Sequence, residues 1–273
     1  VELVLGKKTI YKDRYDNSLL YRISRSIARS QLNISETLPF HGFDIWNCYE
    51  LSWLDQNGKP VIKILELVVS VKSAYIVESK SLKLYLNSFN NSKFNDADQV
   101  KELIAKDLSA LLESPVMVVI KDLDCYNGMM LQSFSGINLD LLAISIDNFD
   151  IHKNPPKLSE DKGQIAEILY SNLLKSNCLV TNQPDWASVQ ISYQGKQIDH
   201  STLLKYLISF RNHNEFHEQC VERIFCDISH FCIPDKLTVY ARYTRRGGVD
   251  INPIRSSHKL AITKISNLRH VRQ

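Results

Sequence analysis

The sequence predicts an α+β chain of two tandem units, each an antiparallel sheet covered on one face by a helix pair. Three observations predict it. Val- and Ile-rich segments alternate apolar and polar residues, the period of a half-buried strand. In each half, two segments with helical apolar spacing follow such a strand. Between the halves lies "NFDIHKNPPKLSEDKGQ", Asn148 to Gln164, where Pro155 and Pro156 exclude helix and central strand and the charges favour water. The expected division is therefore 1–150 and 151–273. Sheets with one covered face leave open edges, which pairing of units and of chains would close, so an oligomer is expected.

In the first half, "KPVIKILELVVSVKSAYIVES" reads as long strand. One helix is expected near Ser81. A second follows an Asp96 cap, with Val100, Leu103, Ile104, Leu108, Leu111 and Leu112 on one face. "SPVMVVIKDL" and "INLDLLAISID" follow as strand-like segments. In the second half, "ASVQISYQGKQI" is strand and "STLLKYLISF" a helix capped by Ser201 or Thr202. The next helix begins near Asn214, with Phe216, Cys220, Val221, Ile224, Ile228 and Phe231 on its apolar side. "DKLTVYARYTRR" and "HKLAITKIS" read as strands. The repeat is architectural, with little residue identity between halves.

Of 273 residues, 44% are hydrophobic and 23% charged, an ordinary globular composition with room for a large core. A net charge of +3 is too small to mark a polynucleotide-binding surface, so any anionic ligand would need only a local basic pocket. The most apolar run, "VIKILELVVSV", is broken by Lys63 and Glu66 and is too short to span a membrane, and "VELVLGKKTIYKDRYD" lacks a signal-peptide core. Six cysteines form no CxxC pair, which favours reduced thiols and a cytoplasmic location.

Four segments carry candidate chemistry. In "NCLVTNQPDW", Cys178 precedes Asp185 by seven residues; "NCYELSWLDQ" repeats the spacing with Cys48 and Asp55. Residues seven apart on a strand face opposite ways, so thiol and carboxylate converge only if the chain turns. Asn182 and Pro184 supply a turn in the first copy; the second has none. A carboxylate raises a nearby thiol's pKa, so Asp185 is better cast as a proton shuttle than as a charge activator. Spacing alone still leaves a buried structural cysteine as the commoner case. In "FRNHNEFHEQC", His213, His217 and Cys220 have ligand-like spacing if one helix holds all three, while an Asn214 cap would leave His213 outside it. In "VESKSLKLY", Glu78 at a strand end suits the paired N–H edge of a guanine-like base, and Lys80, Lys83 and helix-start amides suit phosphate. In "RYTRRGGVDINP", Arg242, Arg245 and Arg246 could clamp phosphate beside the permissive Gly247 and Gly248. Neither a GxGxxG loop nor a Walker loop is present.

Together these segments resemble the NADPH-dependent 7-cyano-7-deazaguanine reductases, the QueF nitrile reductases of queuosine biosynthesis. "ESKSLKLY" matches the family signature. "SNCLVTNQPDWASVQISY", "YLISFRNHNEFHEQCVERIF", "VYARYTRRGGVDINP" and "LGKKTIYKDRYDNSLL" match the long form. The resemblance implies two tunnelling-fold units per chain, a cytoplasmic homodimer, NADPH as cofactor and a small-molecule deazaguanine substrate, with no direct nucleic-acid or membrane partner. It implies Cys178 as the nucleophile forming a thioimide and Asp185 as proton donor. Val77, Glu78, Ser79, His217 and Glu218 would bind substrate; Ser79, Lys80, Arg246 and Gly247 would contact NADPH; no metal is implied. Since Glu78 falls in the first half and Cys178 in the second, the resemblance implies a site drawn from both halves. No departure occurs at these positions, and Cys48 receives no role. Two other readings remain from the residues: a zinc-dependent pterin or purine hydrolase using His213, His217 and Cys220, and a non-enzymatic binding module.

Overall fold

The computed structural model describes residues 11–35, 37–160, 163–267 and 269–273. The signal-peptide reading of the first ten residues, the "LGKKTI" part of the terminal motif, and Asp161 and Lys162 of the linker lie outside them. The elements are β1 (Arg22–Ser24), α1 (Arg25–Ser30), β2 (His41–Leu54), β3 (Pro60–Ser70), β4 (Tyr75–Val77), α2 (Ser79–Asn87), α3 (Ala97–Leu112), β5 (Val116–Lys121), β6 (Ile137–Asn138), β7 (Gln164–Asn177), β8 (Pro184–Lys196), α4 (His200–Ser209), α5 (His217–Cys232), β9 (Lys236–Tyr243) and β10 (Val249–Ser256). The architecture is α+β. Among the described residues no helix is long and apolar enough to cross a membrane.

The chain forms two compact units, each discontinuous in sequence. The first holds the N-terminal stretch to Ser30, Asp44–Met130 and Arg245–Ile251; the second holds Gln31–Phe43, Leu131–Thr244 and Asn252–Gln273. The expected division after residue 150 is a single cut, whereas here β2 and β10 each give residues to both units.

In the first unit, β5 pairs antiparallel with β3, from Ile64↔Lys121 to Val69↔Val116. Leu65, Leu67 and Val69, alternate residues of β3, join one buried cluster with Trp46, Cys48, Trp53, Tyr85, Phe89, Ile104 and Leu108. On α3, Val100, Ile104, Leu108 and Leu112 are buried, with Leu103 and Leu111 partly buried at the edges of that face. The Asp96 side chain caps α3 by accepting from Gln99 N at 2.8 Å. The expected long strand is interrupted at Val71–Ala74. The Ser73 amide bonds back to Ser70 O at 3.0 Å, turning the chain so that β4 pairs with β1 instead.

In the second unit, β9, β8 and β7 pair antiparallel, and β6 adds a short parallel edge to β7. Helix α5 packs on β9 and α4 on β7. Buried Arg255 holds α5 through Glu222, with Nη2–Oε1 3.0 Å.

Four local expectations need correction here. Asp199, rather than Ser201 or Thr202, caps α4: its carboxylate reaches Thr202 N at 2.7 Å. Phe231 is exposed, because Cys232, four residues after Ile228 and seven after Phe225, takes the next inward position on α5. "INLDLLAISID" forms only the two residues of β6 before a 3-10 turn, which the Asn138 side chain caps by accepting from Asp140 N. "HKLAITKIS" is not a strand; it bends through a 3-10 turn at Ile262–Lys264, closed by Lys264 N to Ala261 O at 2.9 Å.

Candidate active site

The cysteines differ sharply in setting. Burial pushes the Cys226 thiol up to about 12 and the Cys232 thiol up to about 11. Burial also holds Cys48 and Cys220 far above the ordinary thiol range, with Asp250 adding to the effect at Cys48 and Glu215 at Cys220. These four are held as thiols, unfit to attack. Cys125 is exposed and Cys178 partly exposed. Of these two, Cys178 stands at the end of β7, whose partner strand β8 carries Asp185.

Cys178 follows β7 directly. Its amide donates to Gln183 O at 2.8 Å, and its carbonyl accepts from Asn182 N at 2.9 Å, so residues 178–183 close a turn. Asn182 occupies the left-handed region (φ 57°), which Asn tolerates better than most residues. The chain re-enters the sheet at Pro184, with Asn177↔Pro184 and Ser176↔Asp185 in register. The reversal restores the parity that seven residues of plain strand would lose. Cys178 bonds Gln183 just beyond the last register pair, and Asp185 is two residues from Gln183. Carried one pair beyond the sheet, that register would give Cys178 the same parity as Asp185, a diagonal relation across the strand pair.

Asp185 is 3% exposed. His217 Nε2 lies 3.8 Å from Asp185 Oδ1, and its ring meets Tyr243 edge-on at 4.0 Å between centroids. His217 begins α5, and Glu218 follows in the first turn, buried, where the helix N-terminus favours its negative charge. Lys175 sits nearby on β7. Burial and Arg211 hold its ammonium below the ordinary lysine range, with Asp185 acting in the opposite sense.

Sequence reasoning missed an asparagine clamp on the turn. Asn177 Nδ2 donates to Asn214 Oδ1 at 3.3 Å, and Asn214 Nδ2 donates to Asn182 Oδ1 at 2.9 Å. Backbone bonds from Asn177 N to His213 O (2.8 Å) and from Glu215 N to Asn177 O (3.2 Å) reinforce it. Asn214 therefore does not cap α5, which starts at His217 after Phe216. His213 lies outside the helix, 2.9 Å from buried Glu215, and among the described residues no group of three metal-ligating side chains converges.

The first unit gathers the remaining candidates. Val77 ends β4 opposite Arg22 of β1. Buried Glu78 then caps α2, accepting from Lys80 N at 2.9 Å and Ser81 N at 2.7 Å. Those amides are already occupied, so they do not present an open anion site; each carboxylate oxygen keeps a second lone pair. Ser79 and Lys80 open the helix and are partly exposed. A tight turn formed by Arg246 N to Val249 O (2.9 Å) and Val249 N to Arg246 O (3.3 Å) brings Gly247 and Gly248 to positive φ, 57° and 73°. At that turn a Cβ on Gly247 would meet Lys83 at 3.3–3.5 Å, so glycine lets the turn lie against α2. Arg245 stacks over Tyr49, 5.0 Å from its centroid. Ser79, Lys80, Lys83, Arg246 and Gly247 thus belong to one corner of this unit. Cys48, by contrast, is sealed in the core, and Asp55 is spent on a turn, accepting from Asn57 N and Lys59 N.

Residues 11–120 match the model described as nitrile reductase, 7-cyano-7-deazaguanine-reductase N-term. Residues 184–261 match the model described as QueF-like protein. The matched segments hold Val77, Glu78, Ser79 and Lys80, then Asp185, His217, Glu218, Arg246 and Gly247; Cys178 lies between them. Together they cover more than half of the chain, in two parts and in the expected order. The chain belongs to the QueF family of nitrile reductases, the 7-cyano-7-deazaguanine reductases.

Proposed function

We propose that this protein reduces the nitrile of 7-cyano-7-deazaguanine to the primary amine, 7-aminomethyl-7-deazaguanine, in queuosine biosynthesis, through a covalent thioimide on Cys178. The observation that carries the proposal is the turn at residues 178–183. It closes directly after β7 on a partly exposed thiol and returns the chain to β8 at Pro184, one residue before the buried carboxylate of Asp185, which supports a thiol and an acid acting on one substrate. A linear nitrile would lie between them with carbon toward sulfur and nitrogen toward the acid.

Cys178 Sγ adds to the nitrile carbon, one C–N π bond breaks, and the thiol proton reaches nitrogen with Asp185 as shuttle. The resulting C=N centre accepts hydride at carbon. The product carries no sulfur, so the C–S bond must break before reduction is complete, returning the thiol. Nitrile to amine requires two hydrides and two protons; NADPH, when bound, supplies the hydrides. Lys80, Arg246, Ser79 and Gly247 would hold it, a donor set suited to phosphate because it pairs cationic side chains with a glycine turn. Val77, Glu78 and Ser79, with His217 and Glu218, would bind the deazaguanine. Glu78 can take a base N–H while capping α2, because each oxygen accepts a second hydrogen bond. The proposal includes the tunnelling fold for each unit, a homodimer and a cytoplasmic setting.

Intact mass spectrometry after mixing with the nitrile, without NADPH, tests the central step. A mass gain equal to the substrate, mapped to Cys178 and lost in Cys178→Ala, is expected. An unmodified Cys178 in protein that still turns over with NADPH would overturn the covalent route.

A further inference from the structure

The second unit contains a cavity of about 650 Å³, within the ligand-sized range of roughly 300–1,000 Å³. It is lined in part by Arg242, His258, Lys259, Lys264 and His270. Among the described residues, no Asp or Glu lines it.

Arg242 is 2% exposed, and its guanidinium stays charged at any physiological pH. Its described partners are all neutral: Gln273 Oε1 at 3.0 Å from Nε and 2.8 Å from Nη2, Tyr240 Oη at 2.8 Å and Asn267 Oδ1 at 2.7 Å from Nη1. These bonds orient the group without cancelling its charge, and a buried charge lacking a counter-charge is costly. Burial first, and then the charges of Arg242 and Arg272, lower the His270 pKa to about 4. Phe134 stands edge-on to His270, 4.5 Å between centroids, and to Tyr240, 5.6 Å, giving the cavity an aromatic wall. Exposed Lys259 and Lys264 come from the segment that fails to form a strand and lines the cavity instead.

We infer that this cavity is a binding site for a small phosphorylated anion, with the phosphate facing Arg242, Lys259 and Lys264. Arg242 belongs to the second unit and Arg246 to the first, and none of Ser79, Lys80, Arg246 and Gly247 lines this cavity. Neutral hydrogen bonds fix the guanidinium in place, and the lysines at the rim supply a further two positive charges. Phosphate in such a site gains charge-assisted hydrogen bonds and provides a counter-charge to Arg242 that its described partners do not.

Isothermal titration of the full chain with inorganic phosphate, at ionic strength matched with chloride, tests this. Saturable binding is expected, weakened roughly tenfold or more in Lys259→Ala/Lys264→Ala, as loss of charge-assisted contacts requires. The variant Lys80→Ala/Arg246→Ala should bind phosphate at the cavity as the parent does, and the His270 imidazole signals should move on phosphate addition. AMP should bind at least as tightly as phosphate, and adenosine should not bind. No saturable binding, loss of binding only in Lys80→Ala/Arg246→Ala, or equal binding of adenosine and AMP would overturn the inference. None of these results depends on nitrile reduction.

Discussion

Asn214 Nδ2 donates to Asn182 Oδ1 at 2.9 Å, and this bond ties the turn after Cys178 to the segment leading into α5. Asn182 sits at positive φ, which Asn tolerates, and the Asn214 amide fixes its side chain there. Asn214→Ala should cost about 1 kcal/mol of stability, the net worth of such a bond. Activity should suffer more, since a loosened thiol loses near-attack geometry: kcat falls about tenfold with KM little changed. Alkylation of Cys178 by iodoacetamide should quicken. Unchanged kcat and unchanged alkylation would show that the clamp does not position the thiol.

Cys178→Ala should lower kcat/KM at least roughly a thousandfold, as loss of a nucleophile does. Cys48→Ala removes a thiol that burial has already silenced, so kcat should stay within about threefold while stability falls by about 1 kcal/mol. Steady-state rates and urea midpoints on both variants decide this. A folded but inactive Cys48→Ala protein would reverse the choice of cysteine.

Glu78 serves two ends, and two substitutions separate them. Glu78→Ala loses the α2 cap and should cost about 1 kcal/mol. Glu78→Gln keeps one carbonyl oxygen for the cap and should cost less than half as much. Both remove the carboxylate that would read the base, so both should raise KM for the nitrile. If Gln restores KM along with stability, Glu78 is only a cap.

His270 sets a pH dependence whose sign follows from its lowered pKa of about 4, against an ordinary 6.5. Between those values the unfolded chain takes up a proton that the folded chain refuses. Stability should therefore decline as pH falls from about 6.5 toward 4, then level off with respect to this group. His270→Gln should flatten that part of the curve, measured as urea midpoints across the range. An unchanged slope would mean that His270 titrates normally.

Legibility varied with the physics behind each signal. The α3 face and its Asp96 cap could be read directly, because helical period and cap chemistry are local. The turn at Pro184 was legible for the same reason. The interruption at Ser73 was not, because uninterrupted alternation gives no warning of a backbone bond to Ser70. "HKLAITKIS" alternates like a strand but has no sheet neighbour, and pairing is not encoded in one segment. The asparagine clamp was missed because Asn177, Asn182 and Asn214 are individually unremarkable polar residues that meet only after folding. Arg242, Arg245 and Arg246 read as one basic cluster, yet the fold assigns Arg242 to one unit and the other two to the next.

The discontinuity of the two units bears on how the protein can be divided. A break in the linker would strand Arg245–Ile251 on the wrong fragment, leaving the N-terminal piece without the glycine turn and the C-terminal piece without Gln31–Phe43. Neither fragment would then be a self-sufficient protein. Gly42 makes the second loss concrete: its φ is 149°, and a Cβ there would sit 1.9 Å from Ile254 O, so the strand it belongs to is fitted tightly into the unit that would lose it. Split reporters and domain swaps built on the apparent halves should therefore work only by complementation in trans, with each fragment waiting for the strand the other carries.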